Sequence, residues 1–559
     1  MSGPLQELPV GVQNFPEIIK DSLVYVDKTA YISEMISRHG VKAWLLSRPR
    51  RFGKSLVFST LKTLFSGQRE LFNGLAIENR LDEKIFAPRP VIALDMSLVT
   101  NNLGIAELQN SLGRVTSSSA IWREDEKASI SPLFPSAEPS RFERPLPPGE
   151  ILFDLIKNMS TRSGQKVAVL IDEYDKPYMD LIRTPEEAEK IRVTMRDYYT
   201  RLKAADEYIS FIFITGIGKF ARMGVFSSLN NLLDISTIPE FAAICGFTHQ
   251  ELSGRLGAYV EEAAIKLGKK RDDLLEELKD YYDGFSFDGK TRVYNPFSTL
   301  LFFTVKKFNN FWFNSGTPKV IAQYIKDNRL TVEEFHGRTV SKAFVENPGE
   351  IDTAAPMSLL YQAGYLSLRA DDSDGEYVLD YPNREVYQSM SRLLVGNFLG
   401  GDINADDAFR YLRKILGSGD PDALIGEFAK LLAKIPYDIY SKANREDIKI
   451  NNIEIKFGEW MYHANLLSFL IGSGVNVRAK ARASQGQSDL VVSREGRVWV
   501  IELKMAQNGD DAAVAKAALK QIREKDYAAP YDNPILLGIA INEAKRTIGA
   551  WEVGYKTRR

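Results

Sequence analysis

Two acids and a lysine at close spacing carry the first chemistry in this chain. Ser488-Asp489-Leu490-Val491-Val492 and Val498-Trp499-Val500-Ile501-Glu502-Leu503-Lys504 are apolar, strand-like runs. The five residues between them, Ser493-Arg494-Glu495-Gly496-Arg497, read as the turn of a β-hairpin. A side-chain period of two puts Val498, Val500, Glu502 and Lys504 on one face of the second strand and Trp499, Ile501 and Leu503 on the other. Acids that converge repel unless a cation lies between them, and a hard divalent ion such as Mg²⁺ answers that need with oxygen ligands. Asp489 and Glu502 are therefore candidate metal ligands. Lys504 is placed to orient or help deprotonate a water, which suits metal-assisted phosphodiester hydrolysis. The bland alternative is a surface hairpin whose charges are solvated, so the surroundings must decide.

A second constellation lies near the N-terminus. Ala43-Trp44-Leu45-Leu46-Ser47 is a short apolar strand, followed by Arg48-Pro49-Arg50-Arg51-Phe52-Gly53-Lys54-Ser55 and a helix from Leu56 to about Phe65. Strand, tight loop, Gly-Lys-Ser and helix form the context of a phosphate-binding loop, whose backbone N–H groups and helix N-terminus hold phosphate oxygens. Gly53 shapes the loop, Lys54 would reach the β and γ phosphates of ATP, and Ser55 would ligate Mg²⁺. Arg48 occupies the position where such loops have their first glycine; it could block the usual shape or add charge toward the phosphates. Val167-Ala168-Val169-Leu170-Ile171-Asp172-Glu173 reads as a central parallel strand ending in two carboxylates. Asp172 would hold the Mg²⁺ shell and Glu173 would polarise the attacking water. Ser210–Gly216 is another buried strand whose Thr215 is placed to contact the γ-phosphate or the water, and Val91–Asp95 is a further one.

The elements that must position these groups divide a chain of 559 residues, long enough for two to four domains. With 44% hydrophobic and 26% charged residues and a net charge of −1, the composition is that of an ordinary globular protein. From Asn451 onward 16 Lys+Arg stand against 12 Asp+Glu, a local excess compatible with a polyanionic partner. The single cysteine, Cys245, excludes internal disulfides and multi-cysteine zinc sites, and four scattered histidines argue against a histidine-rich metal site. No apolar leader and no run of about 18 apolar residues occurs, so the expectation is a soluble cytoplasmic protein without a membrane partner.

Strands alternate with helical stretches over residues 1–236, giving a three-layer α/β domain, with a Ser/Pro/charge-rich segment at 116–150 read as an insertion loop. Residues 237–345 are mostly helical (Glu251–Lys266, Asp272–Tyr282, Pro296–Val305) with turns at Asp283-Gly284 and Asn295-Pro296, and their aromatics read as core. Residues 346–445 read as a connecting module with a strand pair near Tyr365–Leu368 and Tyr377–Leu379. In 446–559 the order is helix (Phe457–Gly472, with Glu459), strand (Asn476–Lys480), the hairpin, helix (Ala512 to about Tyr527, with Gln521 and Lys525) and a buried strand, Ile535–Ala540. That order is the α/β core expected where the acids sit at a sheet edge facing a basic groove.

These stretches resemble a bacterial family that joins an AAA-ATPase-like domain to a C-terminal PD-(D/E)XK nuclease-superfamily domain. The resemblance rests on Tyr25-Val26-Asp27-Lys28-Thr29, the Arg48–Leu56 loop, Leu170-Ile171-Asp172-Glu173-Tyr174-Asp175, Asn230-Asn231, Tyr282-Asp283-Gly284-Phe285, Tyr294-Asn295-Pro296-Phe297, Gly316-Thr317-Pro318 and Gly364-Tyr365-Leu366. The family's own loop carries arginine where Arg48 stands. The resemblance implies an ASCE-type P-loop domain of three α/β/α layers, a mainly helical middle region and a restriction-endonuclease-like α/β domain, with ATP and Mg²⁺ as cofactors. It implies that Asp489, Glu502 and Lys504 are the nuclease motif, Glu459 the first-helix acid, and Gln521, Lys525 and Tyr527 the trailing-helix motif. Ser488 stands where the superfamily's name has proline. The function so implied is an ATP-dependent or ATP-regulated nuclease acting on nucleic acid, with DNA the expected polymer. Arg50 or Arg51 could contact phosphates of the same or a neighbouring subunit, which leaves a homo-oligomer open. A second reading stays open as well: a nucleotide-dependent switch or sensor whose C-terminal fold binds nucleic acid or a partner without cutting.

Overall fold

Strand β1, Ala43–Ser47, is buried along its whole length, as is β4, Val167–Asp172. Strands apolar on both faces pair in parallel beneath covering helices, and these two belong to one such sheet. It comprises β1, β2 (Val91–Asp95), β3 (Ala120–Ile121), β4, β5 (Ile209–Gly216) and β6 (Leu232–Asp234), in the order β3-β2-β4-β5-β1-β6. All pairs are parallel except β2–β3. The registers Ser47↔Gly216 and Asp95↔Asp172 bring the carboxyl ends of β1, β2, β4 and β5 to one edge, where an open α/β sheet binds ligands. Helices Lys54–Phe65, Ile105–Ser117, Pro148–Ser163 and Pro185–Ala204 are interleaved with these strands.

The computed structural model describes residues 5–80, 82–100, 104–121, 146–179, 185–218, 231–314, 337–346, 356–370, 376–399, 405–434, 448–450, 453–455, 457–483, 486–506 and 509–555. Asn230 and Gly316-Thr317-Pro318 lie outside them. At the ends of the 116–150 stretch, helix Ile105–Ser117 and β3 on one side and helix Pro148–Ser163 on the other are regular structure, and 122–145 lie outside the described residues. The chain divides into two compact units, one of Met1–Ser315 with Gly337–Asn383 and one that includes Arg384–Arg559.

In the first unit, helices His249–Ser253, Gly257–Leu267, Arg271–Tyr282 and Pro296–Val305 follow the sheet. They share a core in which Val24 and Val26 pack with Leu252, Leu256, Val260, Leu278, Tyr282, Phe302 and Phe303. The single helix expected over Glu251–Lys266 is two helices, since a Thr248–Glu251 capping box starts the first and it stops at Gly254. Short strands β7 (Phe285–Ser286) and β8 (Arg292–Val293) pair with each other, and β9 (Arg338–Val340), β10 (Ser367–Ala370) and β11 (Tyr377–Asp380) form a sheet ordered β10-β11-β9. The strand pair read near 365–379 is thus present.

In the second unit β12 (Ile448–Ile450) and β13 (Ile453–Ile455) make a small hairpin. The main sheet is β14 (Asn476–Ala483), β15 (Gly486–Arg494), β16 (Arg497–Ala506), β17 (Ile535–Asn542) and β18 (Thr547–Tyr555), in chain order, with only β16–β17 parallel. The period of two holds. Trp499, Ile501 and Leu503 face helices Ala405–Ser418, Pro421–Leu432 and Phe457–Gly472, while Val491, Val500 and Leu536 face helix Asp511–Glu524 through Leu519 and Ile522. The turn differs from expectation. Only Glu495 and Gly496 separate the strands, with φ of 50° and 79°, so the expected five-residue turn is a two-residue type I′ turn whose twist matches the strands. Among the described residues no helix is long and apolar enough to cross a membrane.

Candidate functional sites

The loop after β1 is held open from outside. Arg48 is buried and does not face the phosphate position. Its guanidinium donates to the carbonyls of Ser47 (2.9 Å), Ser236 (2.7 Å) and Phe241 (3.1 Å) and lies 3.9 Å from the Phe287 ring centre. Neither outcome expected for Arg48, a blocked loop or charge added to the phosphates, describes it; it is a brace. Trp312 Nε1 donates to the Arg50 carbonyl at 2.9 Å, and the bare Cα of Gly364 lets Pro49 approach where a Cβ would lie 2.6 Å from it. Phe285 packs edge-on against Phe52, and Arg51 lies over the Phe297 ring at 4.0 Å. The stretches around Gly284, Pro296 and Gly364 therefore converge on this loop.

Arg51 and Gly53 take positive φ, 62° and 100°, and helix Lys54–Phe65 begins at Gly53 without a side-chain cap. Its first N–H groups are the orphan donors that an anion can satisfy. A cavity of about 510 Å³ opens over the loop, lined by Arg50, Arg51, Gly53, Lys54, Ser55 and Glu173, with an apolar wall from Ile18, Val24, Tyr25, Val26 and Leu300. Its size and its mix of apolar wall and few polar groups suit a nucleotide. The Tyr25–Thr29 stretch is fixed beside it: Asp27 accepts from Thr29 N and Ala76 N, and buried Lys28 donates to both Glu251 oxygens at 2.7 Å.

Lys54 is buried and donates to the Pro49 carbonyl at 3.0 Å. Burial lowers its pKa, and the nearby Asp172, Glu173 and Asp175 oppose that shift. Asp172 is buried too; its carboxyl is pushed up to about 6 by burial, against the bond from Ser55 and the charge of Lys54. Glu173 takes φ of 51°, a left-handed conformation rare for a non-glycine residue, and lines the cavity. Thr215 Oγ1 is buried without a hydrogen-bond partner among the described residues, an orphan polar atom that fits a bound group or water. Asp175, given no role from sequence, accepts from Ile217 N and Gly218 N, both at 2.9 Å, and ties the Asp172 edge to the end of β5. The structure thus brings Lys54, Ser55, Asp172 and Glu173 together, with Thr215 at the adjoining strand end. The acid–loop set has the donors that a Mg²⁺–nucleotide requires.

In the second unit the chemistry sits at a fork. Pairing of β15 with β16 runs from Arg494↔Arg497 to Leu490↔Ile501 and stops, while β15 continues on β14 to Gly486 and β16 continues on β17 to Ala506. Where the strands part, the acids satisfy the freed N–H groups reciprocally. Asp489 Oδ2 accepts from Leu503 N at 2.8 Å, and Glu502 Oε2 accepts from Asp489 N at 3.3 Å. Gln521 Nε2 donates to Glu502 Oε1 and stands 3.5 Å from Tyr527 Oη. Asp489 Oδ1 has no hydrogen-bond partner among the described residues, and Lys504, half-buried on the same strand face as Glu502, makes no ion pair among them. Lys525 caps the helix that carries Gln521.

The backbone of Glu459 belongs to helix Phe457–Gly472, but its side chain lies outside the described residues. Four positions on, His463 places Nε2 3.2 Å from the Asp489 carbonyl oxygen. This contact was missed from sequence, although the i,i+4 spacing from Glu459 marks a shared helix face. Among the described residues no three His, Cys, Asp or Glu side chains gather as a metal cage. Two carboxylates still suffice for Mg²⁺, which is held by one or two acids together with substrate phosphates.

Comparison with known sequences finds a family match over each of the two regions that carry these residues. Residues 9–226 match the family described as AAA-ATPase-like, "Predicted AAA-ATPase", and residues 457–551 match the PD-(D/E)XK nuclease superfamily. Over 553 residues the chain is 31% identical to an Azotobacter chroococcum mcd 1 protein described as "Uncharacterized protein in vnfD 5'region", spanning 97% of this chain and 98% of that one.

Proposed function

Since the chain belongs to the family that couples an AAA-ATPase-like domain to a PD-(D/E)XK nuclease-superfamily domain, we propose that it is a nucleotide-controlled, Mg²⁺-dependent nuclease acting on nucleic acid, with DNA the expected polymer. The observation that carries the reading is the fork, where two acids and a lysine from neighbouring strands share one sheet face at the point where pairing stops. Asp489 and Glu502 would hold Mg²⁺, with Glu459 assisting. The ion supplies charge neutralisation at phosphate and a more acidic bound water. Lys504 orients that water, and Gln521 keeps Glu502 in place. The β5 strand lying between β1 and β4 supports an ASCE-type assignment for the first unit. There Lys54 binds β and γ phosphates, Ser55 and Asp172 hold the metal, Glu173 orients the water for ATP hydrolysis, and Thr215 contacts the γ-phosphate or the water.

The test is cleavage of plasmid and single-stranded DNA by purified protein with Mg²⁺, with and without ATP, beside Asp489→Asn and Lys504→Ala. Wild-type cleavage that both substitutions lower by at least about a hundredfold is expected; cleavage unaffected by Asp489→Asn removes the assignment. One observation favours the switch reading instead. Both Glu502 oxygens already accept hydrogen bonds and no third acid is gathered among the described residues. Nucleotide-dependent binding of DNA without cleavage at any Mg²⁺ concentration would establish that reading.

A further inference from the structure

The sheet face that carries the acids continues onto the edge strand β14, where the sequence alternates apolar and basic: Val477-Arg478-Ala479-Lys480-Ala481-Arg482-Ala483. Val477 and Ala479 pack toward the core on the face covered by helix Phe457–Gly472. Backbone alternation therefore assigns positions 478, 480 and 482 to the opposite face, and of these the side chain of Arg478 lies among the described residues. The register agrees. Arg478 pairs with Val491, which belongs to the cluster on the Asp489 face, and Arg482 pairs with Gln487. Lys480, between the Ala479↔Leu490 and Ala481↔Ser488 pairs, falls opposite Asp489. Three cationic positions thus stand in line, successive ones roughly 6.6 Å apart along the strand. Arg478 is exposed and makes no ion pair among the described residues. Helix Asp511–Glu524 packs on the other end of this face, over β16, β17 and β18.

We propose that β14 is a phosphate track: the backbone of a nucleic-acid strand runs along Arg478, Lys480 and Arg482 and is delivered to the fork between Asp489 and Glu502. The inference rests on the nuclease reading of that fork. Charges on an edge strand also guard against edge-to-edge pairing. That protection does not require all three to share the face of the acids, whereas a track does.

The experiment measures binding of a labelled single-stranded oligodeoxynucleotide by fluorescence anisotropy in EDTA, across about 50 to 200 mM salt. It compares full-length wild type with Arg478→Gln/Lys480→Gln/Arg482→Gln and with the single, exposed Arg478→Glu. Each phosphate contact contributes about 0.7 to the slope of log K against log salt for a single strand. The triple variant should therefore lose about 2 from the slope and the single variant about 0.7 or more. An unchanged slope in both basic-residue variants overturns the track, and if aggregation rises at the same time, edge protection explains the residues. Should the triple variant not fold, Arg478→Glu decides alone. Wild-type binding with these slope changes but no Mg²⁺-dependent cleavage removes the nuclease reading and leaves the track as a binding surface. Wild-type cleavage with unchanged slopes removes the track alone.

Discussion

Gly538 pairs with Glu502 across β16 and β17, where the backbone of helix Asp511–Glu524 lies close against the sheet. A methyl group there would lie 2.5 Å from Ala515 O and Leu519 N and 3.1 Å from Leu519 Cα. All three are helix backbone, so no side-chain rotation relieves the clash. An ordinary 3.4 Å contact requires the helix to retreat by about 0.9 Å. Gln521 rides on the same turn and holds Glu502, so the retreat loosens that bond. Overpacking of this kind costs about 1–3 kcal/mol, and a hydrogen bond to a charged acceptor contributes about 1.5–3 kcal/mol when wholly lost. Gly538→Ala should therefore destabilise the second unit by about 2–4 kcal/mol, which at about 2–4 °C per kcal/mol lowers its Tm by several degrees. At Gly554, under the same helix, a Cβ would meet Arg523 Nη2 at 2.7 Å and Leu519 Cδ1 at 3.1 Å, the ends of flexible side chains. Gly554→Ala is the matched control, expected to cost less than about 1 kcal/mol. Thermal melts of the two variants test the difference, and Mg²⁺-dependent cleavage by Gly538→Ala should fall by up to about a hundredfold as Glu502 shifts. Equal melting of Gly538→Ala, Gly554→Ala and wild type would refute the idea that this close approach sets the position of Gln521.

Three further outcomes follow from the same geometry. With its carboxyl raised to about 6, folded Asp172 keeps a proton that the unfolded chain has released above about pH 4. In metal-free, nucleotide-free protein this contributes stability that is lost as pH rises from about 4 to about 6, by at most roughly 3 kcal/mol, with no further change above that window. Urea midpoints of wild type and Asp172→Asn across this range should differ in slope, and identical slopes count against the shift. Arg48→Met takes from the Ser236 carbonyl the donor it has in Arg48, while Phe241 O keeps Ile244 N, and should cost about 1–3 kcal/mol. Arg48→Lys should not rescue it in denaturant titrations, because an ammonium lacks the fork that reaches both. Asp489→Asn retains an oxygen for Leu503 N and should melt with wild type, whereas Asp489→Ala orphans that N–H and should cost about 1–3 kcal/mol; equal destabilisation of the two variants refutes the reciprocal caps.

Local periodicity made much of this molecule legible. Strand β1 at Ala43–Ser47, helix Pro296–Val305 and the two faces of the β16 run stand where apolar patterning places them, because burial on one or both faces writes itself into consecutive residues. Features set by distant partners were not legible. The brace role of Arg48 depends on carbonyls nearly two hundred residues later, and the reciprocal caps of Asp489 and Glu502 depend on a pairing that stops. The turn was overestimated because Arg494 and Arg497 look like loop residues but pair across the strands, leaving Glu495 in a left-handed conformation that its type does not advertise. Strand β18 escaped notice because Gly549 and Gly554 break its apolar pattern; those glycines exist so that Asp511 and Arg523 can lie against the strand.

The clasp around the phosphate loop also sets an order in time. Phe285, Phe287, Trp312 and Gly364, which brace Phe52, Arg48, Arg50 and Pro49, leave the ribosome long after Lys54. At about 5–20 residues per second the interval from Lys54 to Gly364 is roughly 15–60 s, during which the loop has its strand but not its outer wall. A fragment ending at residue 226, where the ATPase-family match ends, lacks that wall altogether. The last clasp residue still precedes Asp489 and Glu502 in the chain. A nascent polypeptide therefore never carries the forked acids without having already made every residue that encloses the loop.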